Sequence, residues 1–310
     1  MIEEVLGHEP VLLAALGAEG EVEGVLPLVH VEAWPLGRSL ISMPFLNDGG
    51  PLGAREVSGA LLEEAVRDAG VREVDLLEVR SRREHPDAGL EVVDRKLAVI
   101  LALPDDPKVL WKDGLRSKVR SQIRRPTKDG MEARFGPEQL DAFYPVFAEN
   151  MRDLGTPVLP RSWFETIRER LPEIVHFGAV YAADGTPVAG GCGFAWKDEF
   201  EITWASSLRE YSRSAPNMLL YWGFMERMIE RGVGAFNFGR CTPGSATHRF
   251  KSQWGGVDLP LPWLQWAPAG ERRGADASER PLLRMASTAW RHLPRAVADR
   301  VGPFLARRLP

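Results

Sequence analysis

Apolar and polar positions along the first hundred residues follow the pattern of strands with one helical interruption. Val57, Leu61 and Ala65 recur every four residues and predict a helix that ends at Gly70. Glycine and proline separate the other apolar runs, as is typical of successive strands. The runs that predict strands are residues 11–16, 25–31, 40–43, 74–79 and 97–103. This order predicts a mixed α/β half.

The second half of the chain repeats the mixed pattern. Residues 140–154 and 163–171 carry apolar side chains at helical spacing, and Gly155 follows the first of these stripes. Helix 217–231 follows later, with Tyr221 and Met225 on its inward face. The apolar segments that predict an antiparallel meander are 174–182, 188–196 and 200–206. The fold class expected from both halves is therefore α/β with mixed sheets.

A basic segment, residues 107–130, separates the two halves. It carries eight basic and two acidic side chains. Leu115, Val119 and Ile123 recur every four residues and predict one apolar helix face, and Pro126 predicts that this helix ends at Arg125. Three arginines recur in the same way beside that face, namely Arg116, Arg120 and Arg124. They form either a solvated interdomain face or an anion-binding face for phosphate, diphosphate or nucleic acid.

Cationic and hydroxyl side chains crowd the stretch from Gly234 to Trp263. A short aromatic strand at 235–238 is followed by a break at Gly239 and a predicted loop that reaches Gly256. Loops held by rigid elements concentrate binding and catalytic groups. The polar residues of this loop are Arg240, Thr242, Ser245, Thr247, His248, Arg249 and Lys251. Two interpretations of Arg240 and Lys251 are open: they converge on a bound anion, or they are solvated surface charges.

The order aromatic-Asn-Phe-Gly-Arg, a small-residue loop and Arg-Phe-Lys-x-x-Trp-Gly-Gly resembles the C-terminal signature of the FemAB-like acyltransferases, which are tandem GNAT-fold proteins. The resemblance covers about residues 107–267 and includes NMRDLGTP at 150–157 and PNMLLYWGFMERMIERG at 216–232. It departs from the family's pattern at Asn237, where an acid is usual, and at Thr247-His248, where Gly or Tyr is frequent.

The resemblance implies tandem GNAT-like domains with a central cleft and a C-terminal amphipathic helical tail. The expected divisions are an N-terminal domain at 1–106, a basic interdomain helix at 107–130, a C-terminal domain at 131–267, and a linker with a basic tail at 268–310.

The resemblance also implies a reaction. An acyl or aminoacyl group would pass from an aminoacyl-tRNA or an acyl-CoA, used as donor substrate without a tightly bound cofactor, to an amine of a phosphate-bearing cell-envelope or polysaccharide precursor. Attack on the carbonyl builds a negative oxygen, which a fixed cation stabilises. Lys251, in the Phe-Lys pair that matches the family's, is the candidate for this role, and Arg240 is the second catalytic candidate. The alternative for Lys251 is a structural partner of a nearby carboxylate.

The candidates for substrate binding are Arg116, Arg120, Arg124, Arg209, Arg213, Ser245, Arg249 and Phe250. Arg209 and Arg213 are either phosphate contacts or ordinary loop charges. Cys241 and His248 lack partners at the spacing of a nucleophile and its base, and direct transfer needs no enzyme nucleophile. A second hypothesis is a catalytically idle GNAT-like module that binds a phosphate-bearing glycan or lipid-linked precursor.

One expected motif is missing. GNAT enzymes that use CoA usually carry a Gln/Arg-x-x-Gly-x-Gly/Ala turn that holds the pyrophosphate at a helix N-terminus. At the corresponding place, residues 207–216 read SLREYSRSAP. This difference favours an aminoacyl-tRNA or another carrier-bound donor over CoA.

Composition limits the remaining classes. A chain of 310 residues with 44% hydrophobic content is long enough for about two domains. Two cysteines provide neither a disulfide framework nor a metal-ligand spacing. The acidic N-terminus does not have the layout of a signal peptide, and the longest apolar run, 97–103, is too short to span a bilayer. These features predict a cytoplasmic protein. The basic amphipathic tail at 280–310 either lies on the inner face of an anionic membrane or docks on its own protein.

Overall fold

The computed structural model describes residues 1–33, 37–85, 89–268 and 281–307. Contacts divide the chain into two units. The first unit contains Met1–Leu97, Leu259–Arg284 and Leu305–Pro310, and the second contains Ala98–Asp258 and Met285–Phe304. The predicted domain bounds at 106, 130 and 267 stay a prediction. The predicted linker at 268–279 lies, beyond its first residue, outside the described residues.

The first unit is a sheet with one covering helix. Its leading elements are β1 (Glu9–Leu16), β2 (Val22–Ala33), β3 (Gly37–Ile41), α1 (Arg55–Val71), β4 (Leu76–Val79) and β5 (Glu91–Ala102), the last of which enters the second unit at Ala98. β1, β2 and β3 are antiparallel neighbours, and β3 pairs with β4 in parallel. Leu61 and Leu62 of α1 pack against Leu28 and Leu77 of the sheet, so the predicted strands and helix of this half are confirmed.

The second unit contains helices, a meander and a parallel strand. Its elements are α2 (Pro107–Val109), α3 (Ser117–Lys128), β6 (Glu132–Phe135), α4 (Leu140–Leu154), α5 (Arg161–Arg170), β7 (Val175–Tyr181), β8 (Pro187–Trp196), β9 (Glu199–Ser207), α6 (Pro216–Glu230), β10 (Ala235–Cys241), α7 (Ala246–Ser252) and β11 (Val257–Trp266), whose later part belongs to the first unit. β7, β8 and β9 form the predicted antiparallel meander, β6 adds an antiparallel strand beside β7 that was not predicted, and β10 pairs with β9 in parallel. In the first unit β11 pairs with β4, where Leu264 lies opposite Val79. The α/β class is thereby confirmed, while the central cleft stays a prediction.

Two local predictions are wrong. α3 does not end at Arg125 but continues through Pro126 to Lys128. A proline in the last turn removes only one backbone donor, and the Pro126 carbonyl still accepts a bond from the Met131 N–H at 2.9 Å. The predicted loop after Gly239 is mostly regular structure, because β10 extends to Cys241 and α7 occupies seven of the following residues.

The C-terminal helices α8 (Pro281–Trp290) and α9 (Arg295–Ala306) dock on the second unit over part of their length. Arg291 donates to the Leu154 carbonyl oxygen, and Arg295 lies 2.8 Å from the Glu149 carboxylate. A Cβ added at Gly302 would stand 3.2 Å from Val158. These contacts support docking on its own protein for residues 291–302. None of the described helices combines the length and apolar character needed to cross a membrane.

Candidate active site

The parallel strands β9 and β10 pair only over their first residues within the described chain. The pairing joins Glu199–Glu201 to Ala235–Asn237, whereas β9 continues beside β8 as far as Ser207. Gly239 has a φ of 70°, a left-handed conformation that favours glycine. Its N–H donates to the Asn237 side-chain oxygen at 2.8 Å. This turn redirects β10 and places its last carbonyl groups beside α7.

Asn237 explains one departure from the family's pattern. Its side chain is 1% exposed, and its amide nitrogen lies 2.9 Å from the Glu199 carboxylate and 3.0 Å from the Glu201 carboxylate. Thr203 donates a further hydrogen bond to Glu201. A carboxylate at position 237 would repel two acids, whereas an amide donates to both. Sequence reasoning missed Glu199 and Glu201, although their alternation along β9 places both on one sheet face.

Lys251 lies in the last turn of α7 and is 6% exposed. Its ammonium donates to the Gly239 carbonyl oxygen at 2.8 Å and to the Arg240 carbonyl oxygen at 2.9 Å. An ammonium has three donors, so one N–H remains after these two bonds. The hydrogen-bond partners are backbone carbonyls rather than the carboxylate that the structural alternative supposed. Lys251 therefore joins α7 to β10 and retains one donor.

Burial determines the protonation of Lys251. Loss of water around the ammonium lowers the pKa of Lys251 to about 8, while Cys241 and Glu201 act in the opposite direction. The side chain is therefore mostly protonated at pH 7 but titrates far below an ordinary lysine. Cys241 and Cys192 are both buried free thiols.

The N-terminal turn of α7 is held by its own side chains. Ser245, a predicted substrate contact, caps the helix by accepting from the His248 N–H at 3.1 Å. The His248 Nδ1 accepts from the Gly244 N–H at 3.0 Å, which leaves Nε2 to donate to Asp258 at 3.0 Å. Arg249 donates to the Gly244 carbonyl oxygen at 2.7 Å. The structure thus assigns Ser245 and Arg249 contacts that shape this turn.

A cluster of aromatic side chains packs against α7. Phe250 meets the ring of Tyr221 edge-on with centroids 5.2 Å apart, and Tyr221 stacks on Phe238 at 5.7 Å. Trp254 closes the cluster against Phe238 at 6.1 Å. Burial raises the pKa of the Tyr221 phenol above its usual range. Phe250, a predicted substrate contact, is half-buried in this packing and fixes the angle of α7.

Arg240 is the exposed member of the site. Its side chain lies at the surface where β10 ends, while its backbone carbonyl accepts from Lys251. The structure therefore brings the two catalytic candidates together through the backbone of Arg240. Among the described residues, no group of three His, Cys, Asp or Glu side chains is arranged to hold a metal ion.

Hydrogen bonds within the loop between β9 and α6 occupy several of its backbone N–H groups. Four of its backbone N–H groups, those of Tyr211, Ser212, Ser214 and Ala215, donate to carbonyls within the loop. Pro216, the first residue of α6, has no N–H. Arg209 donates to the Asp153 carbonyl oxygen at 2.9 Å, and the Arg213 carbonyl accepts from Arg125. A pyrophosphate held by free backbone N–H groups, as at a helix N-terminus, therefore finds few donors here.

The three arginines of α3 occupy different environments. Arg120 is partly buried and its Nη1 donates to three carbonyl oxygens, those of Trp111, Lys112 and Leu115, at 3.0, 3.0 and 2.6 Å. The Arg124 guanidinium lies 5.0 Å above the Trp111 ring, and Arg116 is exposed at the start of the helix. The predicted apolar face is confirmed, since Leu115, Val119 and Ile123 are buried. The guanidinium groups of Arg116 and Arg124 are exposed to solvent, whereas that of Arg120 donates to backbone carbonyls.

Comparison with known proteins identifies the architecture. Residues 114–252 match the family model described as an acetyltransferase (GNAT) domain. No curated protein sequence matches the chain significantly. The structure of FemX is similar with a TM-score of 0.63 at 15% identity, covering 86% of this chain and 90% of that one.

Two further solved structures resemble the chain. A C-terminal domain assigned to a lysylphosphatidylglycerol synthetase from Agrobacterium fabrum has a TM-score of 0.60 at 17% identity, covering 90% of this chain and 88% of its own. A tandem GNAT protein from the clavulanic acid biosynthesis pathway has a TM-score of 0.54 at 13% identity, covering 84% and 83%. At these identities the likeness concerns the fold alone.

Proposed function

We propose that this chain, which has the FemAB-like tandem GNAT fold and an acetyltransferase (GNAT) domain at residues 114–252, transfers an acyl or aminoacyl group to an amine of a cell-envelope precursor. The buried ammonium of Lys251 is the observation that carries the proposal. A lysine at 6% exposure loses hydration, and its two carbonyl bonds leave one N–H for another acceptor.

That remaining N–H suits the transition state of acyl transfer. The acceptor nitrogen forms a bond to the donor carbonyl carbon, and the carbonyl oxygen becomes negative. The carrier then leaves with its bonding electron pair as the carbonyl re-forms, and the proton lost by the nitrogen passes to the leaving oxygen or sulfur of the carrier. Lys251 stabilises the negative oxygen between these two steps. A donor fixed in a dry site is a strong form of such stabilisation, because it needs no reorganisation as charge develops.

The donor proposed is an aminoacyl-tRNA rather than an acyl-CoA, although acyl-CoA is the substrate typical of the GNAT fold. Four backbone N–H groups within residues 211–215 already donate to carbonyls of the same loop. This supports the choice, because few backbone donors remain for a pyrophosphate. Exposed cations on α3, with Arg116 and Arg124 among them, suit the many phosphates of a tRNA or of the acceptor.

The acceptor proposed is an amine on a phosphate-bearing envelope precursor. One structural neighbour is assigned to a lysylphosphatidylglycerol synthetase, and the product that this name describes is a phospholipid that carries an aminoacyl group. Arg240, exposed beside the Lys251 contacts, is proposed to hold a phosphate of donor or acceptor in the ground state.

A substrate screen read by mass spectrometry tests the proposal. Charged tRNAs and acyl-CoAs are offered in parallel with amines of lipid-linked and nucleotide-linked envelope precursors, and a mass increase of one aminoacyl group on the acceptor is expected with a charged tRNA. Lys251→Met should form product roughly a hundredfold more slowly or worse, and Lys197→Met, at an exposed turn between β8 and β9, should form it at the wild-type rate. If no donor yields product while precursors still bind, the idle binding module is correct instead. Product from acyl-CoA alone would overturn the donor assignment.

A further inference from the structure

A cavity of about 330 Å³ lies in the second unit. It opens where α6 and α5 end, beside the last residue of β6 and the first residues of β7. α6 has 15 residues, so at 1.5 Å per residue its two ends are about 22 Å apart. The loop at 207–215 precedes this helix, and Arg231 of the cavity follows it. None of the residues assigned to the candidate active site lines the cavity.

The walls of the cavity are aromatic and closely fitted. Phe135 packs edge-on against Phe224 with centroids 4.9 Å apart. A Cβ added at Gly178 or at Gly223 would approach the Phe135 ring to 2.5 Å, so these two glycines make room for the ring. The Arg227 guanidinium lies 4.7 Å above the same ring and leaves its N–H edges available. The cavity thus presents the planar Arg227 guanidinium, stacked on the Phe135 ring, as a surface for an aromatic ligand.

Charge at the cavity is predominantly positive. Three arginines, Arg168, Arg227 and Arg231, face one carboxylate, Glu173, which makes a formal balance of three minus one, or +2. Across the described ranges, the side chains of Arg168 and Arg231 form no hydrogen bond or ion pair, with Glu173 or any other residue. Like charges gathered without partners repel each other, so an anion placed among them is stabilising.

A buried polar atom points to the same conclusion. His176 lines the cavity, and its Nε2 is buried without a hydrogen-bond partner among the described residues. Burial, with a smaller contribution from Arg231, lowers the pKa of His176 to about 4, so the imidazole is neutral at physiological pH. Native proteins leave few buried polar atoms unpaired, and a ligand is one explanation for those that remain.

We propose that this cavity is a second binding site, specific for a small aromatic carboxylate. Arg168 and Arg231 bind the carboxylate through charge-assisted hydrogen bonds, and the aromatic body stacks on the exposed Arg227 guanidinium that covers the Phe135 ring. Glu173 at the rim repels further negative charge, which favours a monoanionic carboxylate over a phosphate dianion. The volume falls in the range of small-molecule pockets.

Calorimetric titration of the full chain with 2-naphthoate tests the proposal. Saturable one-to-one binding is expected, together with a higher Tm, because the ligand neutralises clustered charge in the folded state. Three comparison ligands separate the contributions: 2-naphthalenemethanol lacks the charge, inorganic phosphate lacks the aromatic body, and 2-naphthyl phosphate carries the second charge. Each should bind at least about tenfold more weakly than 2-naphthoate, since a single charged hydrogen bond corresponds to about that factor.

Variants locate the site. Arg231→Gln and Arg168→Gln should each weaken 2-naphthoate about tenfold with an unchanged far-UV spectrum, because both side chains are at least partly exposed. Arg170→Gln, on the same helix as Arg168 but outside the cavity lining, should bind within about twofold of the wild type. In wild-type protein the His176 ring resonances should shift on binding. Equal affinity for the neutral alcohol, equal affinity of all three variants, or unshifted His176 resonances would each overturn the proposal. Tighter binding of the naphthyl phosphate would overturn the preference for a monoanion.

Discussion

Lys251 and Gly239 are joined by a hydrogen bond of 2.8 Å between the ammonium and the backbone carbonyl oxygen. Gly239 holds a left-handed backbone conformation, and Lys251 lies in the last turn of α7. The bond therefore positions a buried cation at the residue where β10 changes direction. Predictions about catalysis depend on this pair, because the same lysine both ties two elements together and retains a free donor.

The substitution Lys251→Met separates a catalytic from a structural lysine. Turnover should fall roughly a hundredfold or more with KM changed little, because the remaining N–H acts mainly in the transition state. Steady-state kinetics with the donor and acceptor identified by the screen measure both constants, with Lys197→Met as the control. The Tm should fall in either case, because the Gly239 and Arg240 carbonyls lose their donor, but a purely structural lysine would weaken binding without a selective loss of turnover. Full turnover by Lys251→Met would refute the mechanism.

Arg240→Gln should have the opposite kinetic signature. An exposed cation that holds a ground-state phosphate contributes to binding before the reaction begins, so its loss should raise KM more than it lowers kcat. The rise should shrink at high salt, because screening already weakens the wild-type contact. Arg170→Gln provides a control of equal charge change. A selective loss of kcat would place Arg240 in the transition state instead.

The pKa of Lys251 predicts the pH dependence of activity. The ammonium form stabilises the oxyanion, so turnover should fall as pH rises through about 8, rather than near 10.5 as for an exposed lysine. A kcat profile between pH 6 and 10 measures this limb, which should be absent from the residual activity of Lys251→Met. If turnover instead rises through pH 8 in the wild type but not in Lys251→Met, Lys251 acts as a general base and not as a donor to the oxyanion.

The same shift predicts a trend in stability. The folded-state pKa is lowered, so between about pH 8 and 10.5 the unfolded chain holds a proton at Lys251 that the folded chain has released. The free energy of unfolding therefore gains a contribution that rises with pH across this window. Denaturant titrations of the wild type and Lys251→Met should show a difference in pH slope of this sign. Parallel slopes would contradict the lowered pKa.

Arg120 and Arg116 should differ when each is changed to glutamine. Loss of the three carbonyl contacts of Arg120 leaves acceptors without a charged donor, so Arg120→Gln should reduce the free energy of unfolding by about 1–3 kcal/mol. Arg116→Gln should leave stability unchanged and reduce the affinity for a phosphate-bearing substrate together with its salt dependence. Thermal unfolding and binding at two salt concentrations check both. Equal stability of the two variants would contradict a stabilising role for the contacts between Arg120 and these carbonyls.

Exposed apolar side chains on α9 predict contact with an anionic membrane. Val297, Val301 and Phe304 recur at helical spacing and remain 42%, 39% and 58% exposed, and Arg300 lies among them. Val301→Ser with Phe304→Ser should reduce retention on vesicles of phosphatidylglycerol and phosphatidylcholine, and high salt should reduce it in the wild type. Val71→Ser, at an 83% exposed position of α1, should be retained like the wild type. Equal retention of all variants would reject membrane contact.

The sequence by itself determined most of the elements and carried the resemblance to a family. Strong periodicity placed α1, the meander β7 to β9 and the apolar face of α3, because burial of one face demands a repeating pattern whatever the partner. The Phe-Gly-Arg and Arg-Phe-Lys segments carried the resemblance to FemAB-like proteins, and they also marked Lys251 and Arg240. The absence of the glycine motif at 207–216 was visible in the sequence, whereas the hydrogen bonds within this loop were not.

Only the tertiary structure decided what each polar side chain contacts. Spacing could not show that Asn237 lies between Glu199 and Glu201, or that Ser245 caps a helix where a loop was expected, because strand pairing and a short helix bring together residues far apart in sequence. The arginines of α3 looked equivalent along one face, yet Arg120 alone faces backbone carbonyls. Burial also lies outside the sequence pattern. A lysine titrates near its ordinary pKa in water and near 8 when packing removes that water, so the chemistry of Lys251 follows from the fold around it.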